Sequence, residues 1–495
     1  MVTNKKQSFL REFLSNDKQY PVLYAIAAGL YPVLFYFTNN YTLINTWTHL
    51  AYFAIVFLTI PVIVFLIAHR LSKLPVFSKW QKYVLPFLNV FVFLFLLKVC
   101  LYAGIQKKIS LGIIIIAGLF ALFLYKHIKK IVVIQYILVL IGLYTLIPTV
   151  IKQLNYSEEW LKQPDDIEQV VFKKTPNVYL IQPDGYVNFS ELKKNPYNID
   201  YSEFESYLNE NGFKYYLNFR NNYASTLSSN SATFTMKHHH YNKGTSFSEG
   251  VNARNVIVSK NAVLDIFKRN NYKTHLISEL PYLLLNRPEM GYDVCNFNYN
   301  DIAYVGTGLG ERQDILGLLK ESIEIEIDRP KFFFIEIFNP GHIHGRKSDS
   351  EGIEKERILW GESLDRANDI LYKTIDIIKE KDPNALIVLM ADHGGFVGME
   401  YTNQIYTKTQ DRDIIYSIFS SMLAIHWPDG SAPEFDSSFK TAVNVFRILF
   451  AYLGEEERYL SNLQENGSYV VINKDAPKGI YQYIDEEGNI TFKRK

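Results

Sequence analysis

Cysteine is almost absent. Cys100 and Cys295 are the only two in 495 residues, and the first lies inside an apolar run, which excludes a disulfide framework. An excess of charge is also lacking: 52 Lys+Arg against 51 Asp+Glu leave a formal net charge of +1. With no basic stripe interleaved with aromatics, that balance argues against a nucleic-acid partner. There is no internal repeat and no short leader with a small-residue cleavage site. The first apolar run is long enough to stay as a membrane anchor.

What the chain does have is apolar length, concentrated before residue 152. Five stretches meet or approach the roughly 20 residues that cross a hydrocarbon core. They are Pro21–Thr38, His49–Ala68, Val84–Ile105, Ile109–Tyr125 and Ile131–Ile151. Lys5, Lys6, Arg11 and Lys18 precede the first; Arg70, Lys73, Lys79 and Lys82 follow the second; Lys126, Lys129 and Lys130 follow the fourth. The alternate loops carry only Lys107 and Lys108. This bias predicts a multi-pass protein of the inner, cytoplasmic membrane with a cytoplasmic amino terminus and an extracytoplasmic carboxyl-terminal domain. Lys98, inside the third stretch, is expected to snorkel outward. The predicted organisation is a transmembrane anchor over 1–151, a polar linker over 152–175 and an α/β domain over 176–495.

In that domain the apolar runs end on chemistry. Asn177–Pro183 reads as a strand and closes on Asp184; Lys331–Phe338 closes on the loop carrying His342 and His344; Ala385–Met390 closes on Asp392-His393-Gly394-Gly395. Strand ends are where open α/β sheets bind ligands. Between the first two lies a run of hydroxyl and amide side chains, Asn221–Ser231, leading into a helix, so a hydroxyl near its start faces the positive end of the dipole. Further strands are expected at Phe213–Phe219, Tyr272–Ser278 and Ser417–His426, helices at Asn261–Lys268, Asp314–Ile323, Leu359–Lys379 and Lys440–Leu453, and a hairpin at Tyr481–Lys493. Alternating strands and helices predict a doubly wound α/β/α domain. Carboxylates, imidazoles and an activated hydroxyl at neighbouring strand ends suit metal-assisted phosphoryl or sulfuryl transfer.

These residues resemble the alkaline phosphatase superfamily, in its membrane-anchored sulfatase-like branch, the kind of protein that includes lipoteichoic acid synthase and phosphoethanolamine transferases. The resemblance covers most of Pro176–Gly454 and rests on Asn177–Tyr186, Asn222–Ser229, Phe338–His342, Ala391–Gly394 and Asn444–Arg447, in that order. It implies a sulfatase-like fold with Asp184, Asp392 and His393 as metal ligands, Thr226 as nucleophile and further ligand, and His342 on the transferred group. The implied cofactor is one divalent ion: Mn, Mg, Zn or Ca. Thr226 stands where sulfatases place cysteine, and neither Cys100 nor Cys295 is near it, so formylglycine chemistry is ruled out. Ser225, Ser228 and Ser229 remain alternative nucleophiles, and Asp365 an alternative ligand. His239, in the His238–His240 run, and His344 are candidate substrate-binding residues.

The expected activity is transfer of a phosphate-linked group on membrane lipid or envelope glycan through a covalent Thr226 intermediate. The alternatives are a phosphodiesterase, phosphatase or sulfuric ester hydrolase of the same superfamily, and, from another class, a catalytically silent membrane-tethered binding module.

Overall fold

The computed structural model describes residues 9–102, 106–243, 250–305, 309–325 and 327–495. Lys5, Lys6 and residues 103–105 at the end of the expected third span lie outside them. The apolar stretches of the N-terminal third are helical where described, the conformation that satisfies backbone groups without water. Among the described residues, four helical stretches are long and apolar enough to cross a membrane: Pro21–Ile44, Trp47–Ser72, Pro75–Leu101 and Lys107–Leu154. The expected count was five. The difference lies at the end, where the two stretches expected at Ile109–Tyr125 and Ile131–Ile151 run on as one 48-residue segment. Between them lies a three-residue 3-10 turn at Tyr125–His127, with the backbone departing from helical values at Leu124 (φ −122°, ψ 11°).

The chain divides into two compact units. One comprises Met1–Asn155, Leu285–Arg287 and Ile302–Gly310; the other comprises Tyr156–Leu284, Pro288–Asp301 and Glu311–Lys495. Inside the first, the Asn89 and Gln135 amides exchange hydrogen bonds of 3.0 Å, and Asn89 also donates to Tyr24 O at 2.8 Å. Such an amide clasp fixes helix register where no water competes. Lys98, expected to snorkel outward, is buried, at 5% exposure.

The second unit is built on a seven-stranded sheet with the order β2-β7-β6-β1-β5-β3-β4. Its strands are β1 (Val178–Pro183), β2 (Phe213–Tyr215), β3 (Lys273–Ser278), β4 (Val294–Cys295), β5 (Lys331–Ile337), β6 (Leu386–Met390) and β7 (Leu423–His426). The run β6-β1-β5-β3-β4 is parallel, and β7 and β2 close one edge in antiparallel pairings. Central strands buried on both faces explain the apolar runs Val178–Ile181 of β1, Phe332–Ile335 of β5 and Leu386–Met390 of β6. Tyr179, Ile181, Phe333, Ile335, Ile387 and Leu389 share one core with Trp360, Leu364, Leu371 and Ile375 of the long Ile353–Lys381 helix. On the opposite face Phe334 meets Phe234 at 5.0 Å and Phe332 meets Phe267 at 4.1 Å, rings carried by the Thr226–Thr235 and Ala262–Arg269 helices. Helices therefore cover both faces, and the Thr226 helix lies on the side away from the long one.

A second, three-stranded antiparallel sheet joins β8 (Ser468–Ile472), β9 (Gly479–Ile484) and β10 (Ile490–Arg494). The stretch expected to be a linker is packed where it enters this unit. Arg447, with no exposed surface, holds Asp165 Oδ2 at 2.6 Å and Gln163 Oε1 at 2.8 Å.

Candidate active site

Asp184, His342, Asp392 and His393 are each placed by the end of a strand, and Thr226 by the start of a helix. Asp184 follows β1, and its N–H continues the ladder onto Ile337 O at 2.8 Å. Gly185 then turns at φ +67°, and a Cβ there would stand 2.1 Å from Gly341 O, so no other residue fits. The Gly185 N–H donates to Asp392 Oδ1 at 3.1 Å, tying the loop after β1 to the loop after β6. Gly394 is needed for the same reason: its Cβ would lie 2.2 Å from Ser417 O. These glycines let protein backbone close on protein backbone behind the site.

The site itself converges on His393 Nε2. It lies 3.2 Å from Asp184 Oδ1, 3.4 Å from Asp392 Oδ2 and 3.5 Å from Thr226 Oγ1. Four ligands held about 2.1 Å from a tetrahedral centre stand about 3.4 Å apart, so these spacings are those of a ligand shell. Asp184, Asp392 and His393 form a group able to hold a metal ion. The donor chemistry fits as well. Asp184 Oδ1 and Asp392 Oδ2 are buried and accept no hydrogen bond, a costly state that a cation relieves. His393 Nδ1 donates to Gly394 O at 2.8 Å, which leaves Nε2 with its lone pair toward the carboxylates and Thr226.

Protonation reports the same demand for positive charge. Burial, then the nearby Asp392 charge, pushes the Asp184 carboxyl up to about 7. Burial works against a charge on His393, yet the Asp392 and Asp184 carboxylates outweigh it and raise its pKa. Because Asp184 titrates higher folded than its ordinary 3.8, its contribution to stability is complete below that value and is lost as pH rises through about 7. In chelator, wild type should therefore lose thermal stability relative to Asp184→Asn between pH 4 and 7. Melting both proteins across that range reads the difference.

Thr226 is the first residue of its helix, with Ser225 at the N-cap position. Both line a cavity of about 190 Å3 with His342, His393, Tyr282 and Thr402. Ser229 is committed elsewhere, donating to Tyr223 O at 2.8 Å, and Ser228 is buried and does not line the cavity. His342 Nδ1 donates to Ile343 O at 2.7 Å, so Nε2 is the atom left to exchange a proton with a ligand. Burial, with the His393 charge beside it, keeps that ring neutral by lowering its pKa.

The other candidates are placed differently. His344 stands half exposed, its N–H and Nδ1 both on the buried Glu356 carboxylate at 2.9 Å, and it does not line the cavity. Asp365 is exposed on the long helix and accepts from Tyr201. His239 is buried, its Nε2 donating to Ser228 O at 3.0 Å and its Nδ1 accepting the Tyr241 N–H at 2.8 Å, and it stacks 4.0 Å from Tyr223. Burial holds its pKa down to about 3. With both nitrogens spent on backbone, His239→Ala should cost about 2–3 kcal/mol, seen as a melting temperature lowered by about 5 °C with KM unchanged.

Sequence reading missed Glu336 on β5, whose register places it beside Gln182 of β1 and Ser278 of β3. Burial raises its pKa far above the carboxylate range, and Ser278 Oγ donates to it at 2.9 Å. The only signal was one acid inside Phe332-Phe333-Phe334-Ile335-Glu336-Ile337.

No family description and no curated protein matches this sequence. Solved structures do. The lipooligosaccharide phosphoethanolamine transferase A of Neisseria meningitidis, an integral membrane protein, is similar over 88% of this chain and 95% of its own, at 12% identity and a TM-score of 0.40. The lipoteichoic acid synthase LtaP of Listeria monocytogenes is similar over 66% and 91%, at 13% identity and 0.41. The C-terminal periplasmic domain of EcEptC from Escherichia coli, solved in complex with Zn, is similar over 64% and 93%, at 10% identity and 0.42. These are the kinds of protein that the motifs resemble.

Proposed function

We propose that this protein is a membrane-anchored, metal-dependent phosphotransferase that moves a phosphate-linked group between lipid or glycan hydroxyls of the cell envelope. The observation that carries the reading is the placement of Thr226 Oγ1, at a helix N-terminus and 3.5 Å from His393 Nε2, beside two buried carboxylate oxygens that accept no hydrogen bond.

Asp184, Asp392, His393 and Thr226 would hold the divalent ion, which would neutralise charge on the non-bridging oxygens and make the Thr226 hydroxyl more acidic. Thr226 Oγ attacks phosphorus in line, forming an O–P bond as the bond to the leaving oxygen breaks. The hydroxyl proton passes through His342 Nε2 to that leaving oxygen. In the second step an acceptor hydroxyl attacks the Thr226 ester, and His342 takes its proton and returns it to Thr226.

The membrane half is an anchor that presents the site to lipid-linked substrate. Its last apolar segment, 48 residues, measures about 72 Å as a helix, more than twice a hydrocarbon core, and its 3-10 turn at Tyr125–His127 carries Lys126. Crossing twice there gives five spans, a cytoplasmic amino terminus and an extracytoplasmic catalytic unit. The test is turnover of bis-aryl phosphodiester, phosphomonoester and aryl sulfate by the full chain, with the metal content measured on the same sample. Metal-dependent cleavage of a phosphorus ester supports the reading; a protein that binds no metal and cleaves none of them, with native lipids present, overturns it in favour of a binding module.

A further inference from the structure

The Thr226–Thr235 helix meets the sheet at both of its ends. At the start, Thr226 Oγ1 and Asp184 Oδ1 both lie on His393 Nε2, at 3.5 and 3.2 Å; near the finish, Phe234 packs on Phe334 of β5 with ring centres 5.0 Å apart. Asn230 lies one helical turn from each of Thr226 and Phe234, so it falls on the same sheet-facing side, and it is buried. On the sheet beneath, Tyr179 and Ile181 of β1 and Phe333 and Ile335 of β5 face the long Ile353–Lys381 helix. Alternation therefore turns Gln182 and Glu336, which are partners in register, toward the Thr226 helix. One turn of helix advances about 5.4 Å and a pair of strand residues about 6.6 Å, so helix and strands keep step. Asn230 stands over Gln182 and Glu336, one level behind Thr226 and Asp184 and one level ahead of the Phe234–Phe334 contact.

That middle level is polar and unsatisfied. Both ends of the Gln182 amide, both ends of the Asn230 amide and Glu336 Oε1 are buried with no hydrogen-bond partner among the described residues. An enclosed polar layer of this kind costs more than an apolar one of the same shape unless something bridges it. The set contains donors as well as acceptors. A cation would leave the amide N–H groups unmet, whereas water serves both.

We propose that Gln182, Asn230 and Glu336 hold an internal water between the Thr226 helix and the sheet, and that this bridge positions Thr226 for the phosphotransfer proposed above, on which the inference rests. Hydrogen bonds are directional where apolar contacts are not, so a bridge one turn behind the nucleophile fixes both the spacing and the rotation of its helix. A misplacement of about 1 Å at an attacking atom is worth about 100-fold in rate. None of the three side chains lines the cavity at Thr226, so they are positioning residues and leave substrate binding alone.

The test is a double-mutant cycle on the full-length protein with apolar replacements of similar shape, Gln182→Met and Asn230→Leu. Melting temperature and turnover of bis-aryl phosphodiester at saturating metal are both read. Each single variant strands the remaining partner, and should lower the melting temperature by about 3 °C and kcat by about 10-fold or more with KM unchanged. The double variant removes both amides together, so it should melt no lower than either single variant while kcat stays depressed. Glu336→Gln keeps the bridging oxygen on a neutral group and should leave kcat close to wild type; Glu336→Met should behave as the single variants do. Additive melting shifts, activity that returns in the double variant along with stability, kcat unchanged in both single variants, or a raised KM in place of a lowered kcat would each overturn the proposal. The melting cycle needs no turnover. If the wild type cleaves no ester, the proposed function fails, and the coupling in melting still decides whether the bridge exists.

Discussion

Thr226→Ala is expected to lower phosphoester turnover by about 1,000-fold or more and to remove any covalent phospho-adduct from the protein. The hydroxyl stands at the first position of a helix whose dipole favours the developing oxyanion, and it is the one helix hydroxyl that reaches His393. The loss should fall on kcat, because the side chain makes a bond in the transition state and little contact with substrate before it. Thr226→Ser keeps the attacking atom and should retain most of the activity. Ser225→Ala is the decisive companion. The Ser225 hydroxyl is buried, lacks a hydrogen bond and lines the same cavity, so a loss equal to that of Thr226→Ala would make Ser225 the nucleophile. Mass spectrometry of the protein quenched during turnover of a bis-aryl phosphodiester reads the adduct and its position directly.

The residues that were legible in sequence are those whose placement is local. Asp184 and Asp392-His393 each follow an apolar run that could only be a buried strand, and a strand's end fixes where the next side chain lies. The sequence pointed to a hydroxyl near the start of a helix, and the family resemblance singled out Thr226, which the structure has as that helix's first residue. Ser417–His426 was expected to be a strand, yet Ser417–Phe419 finish a helix. Asp411 caps that helix by accepting the Asp413 and Ile414 N–H groups, and the strand begins only at Leu423. β8 escaped notice because a contact that places it comes from far back in the chain: Asn222 O accepts the Tyr469 N–H at 2.8 Å. The same distance in sequence hid the Glu356 carboxylate behind His344. In the His238–His240 run, composition suggests substrate-binding side chains, but the backbone claims both nitrogens of His239. Periodicity reports which face is buried, and it is silent on partners that only folding brings together.

Asp392→Asn should separate metal binding from folding. Asparagine keeps an oxygen where Gly185 donates, so the tie between the two loops survives, while one of two ligand carboxylates becomes neutral. Affinity for the divalent ion is expected to fall by about 100-fold or more, and turnover with it. In wild type, saturating metal at about 100 times Kd adds about 2.7 kcal/mol to stability by linkage, seen as a raised melting temperature; in the variant that rise should vanish. The metal-free proteins should differ in the opposite sense. Asp184 is held up to about 7 partly by the charge of Asp392, so neutralising Asp392 removes a repulsion between buried carboxylates. In chelator at neutral pH the variant should melt no lower than wild type. This sign distinguishes a metal centre from a structural ion-pair cluster, in which Asp392 would serve chiefly as the counter-charge of His393. There the substitution would destabilise the metal-free protein, and added metal would shift neither melting curve.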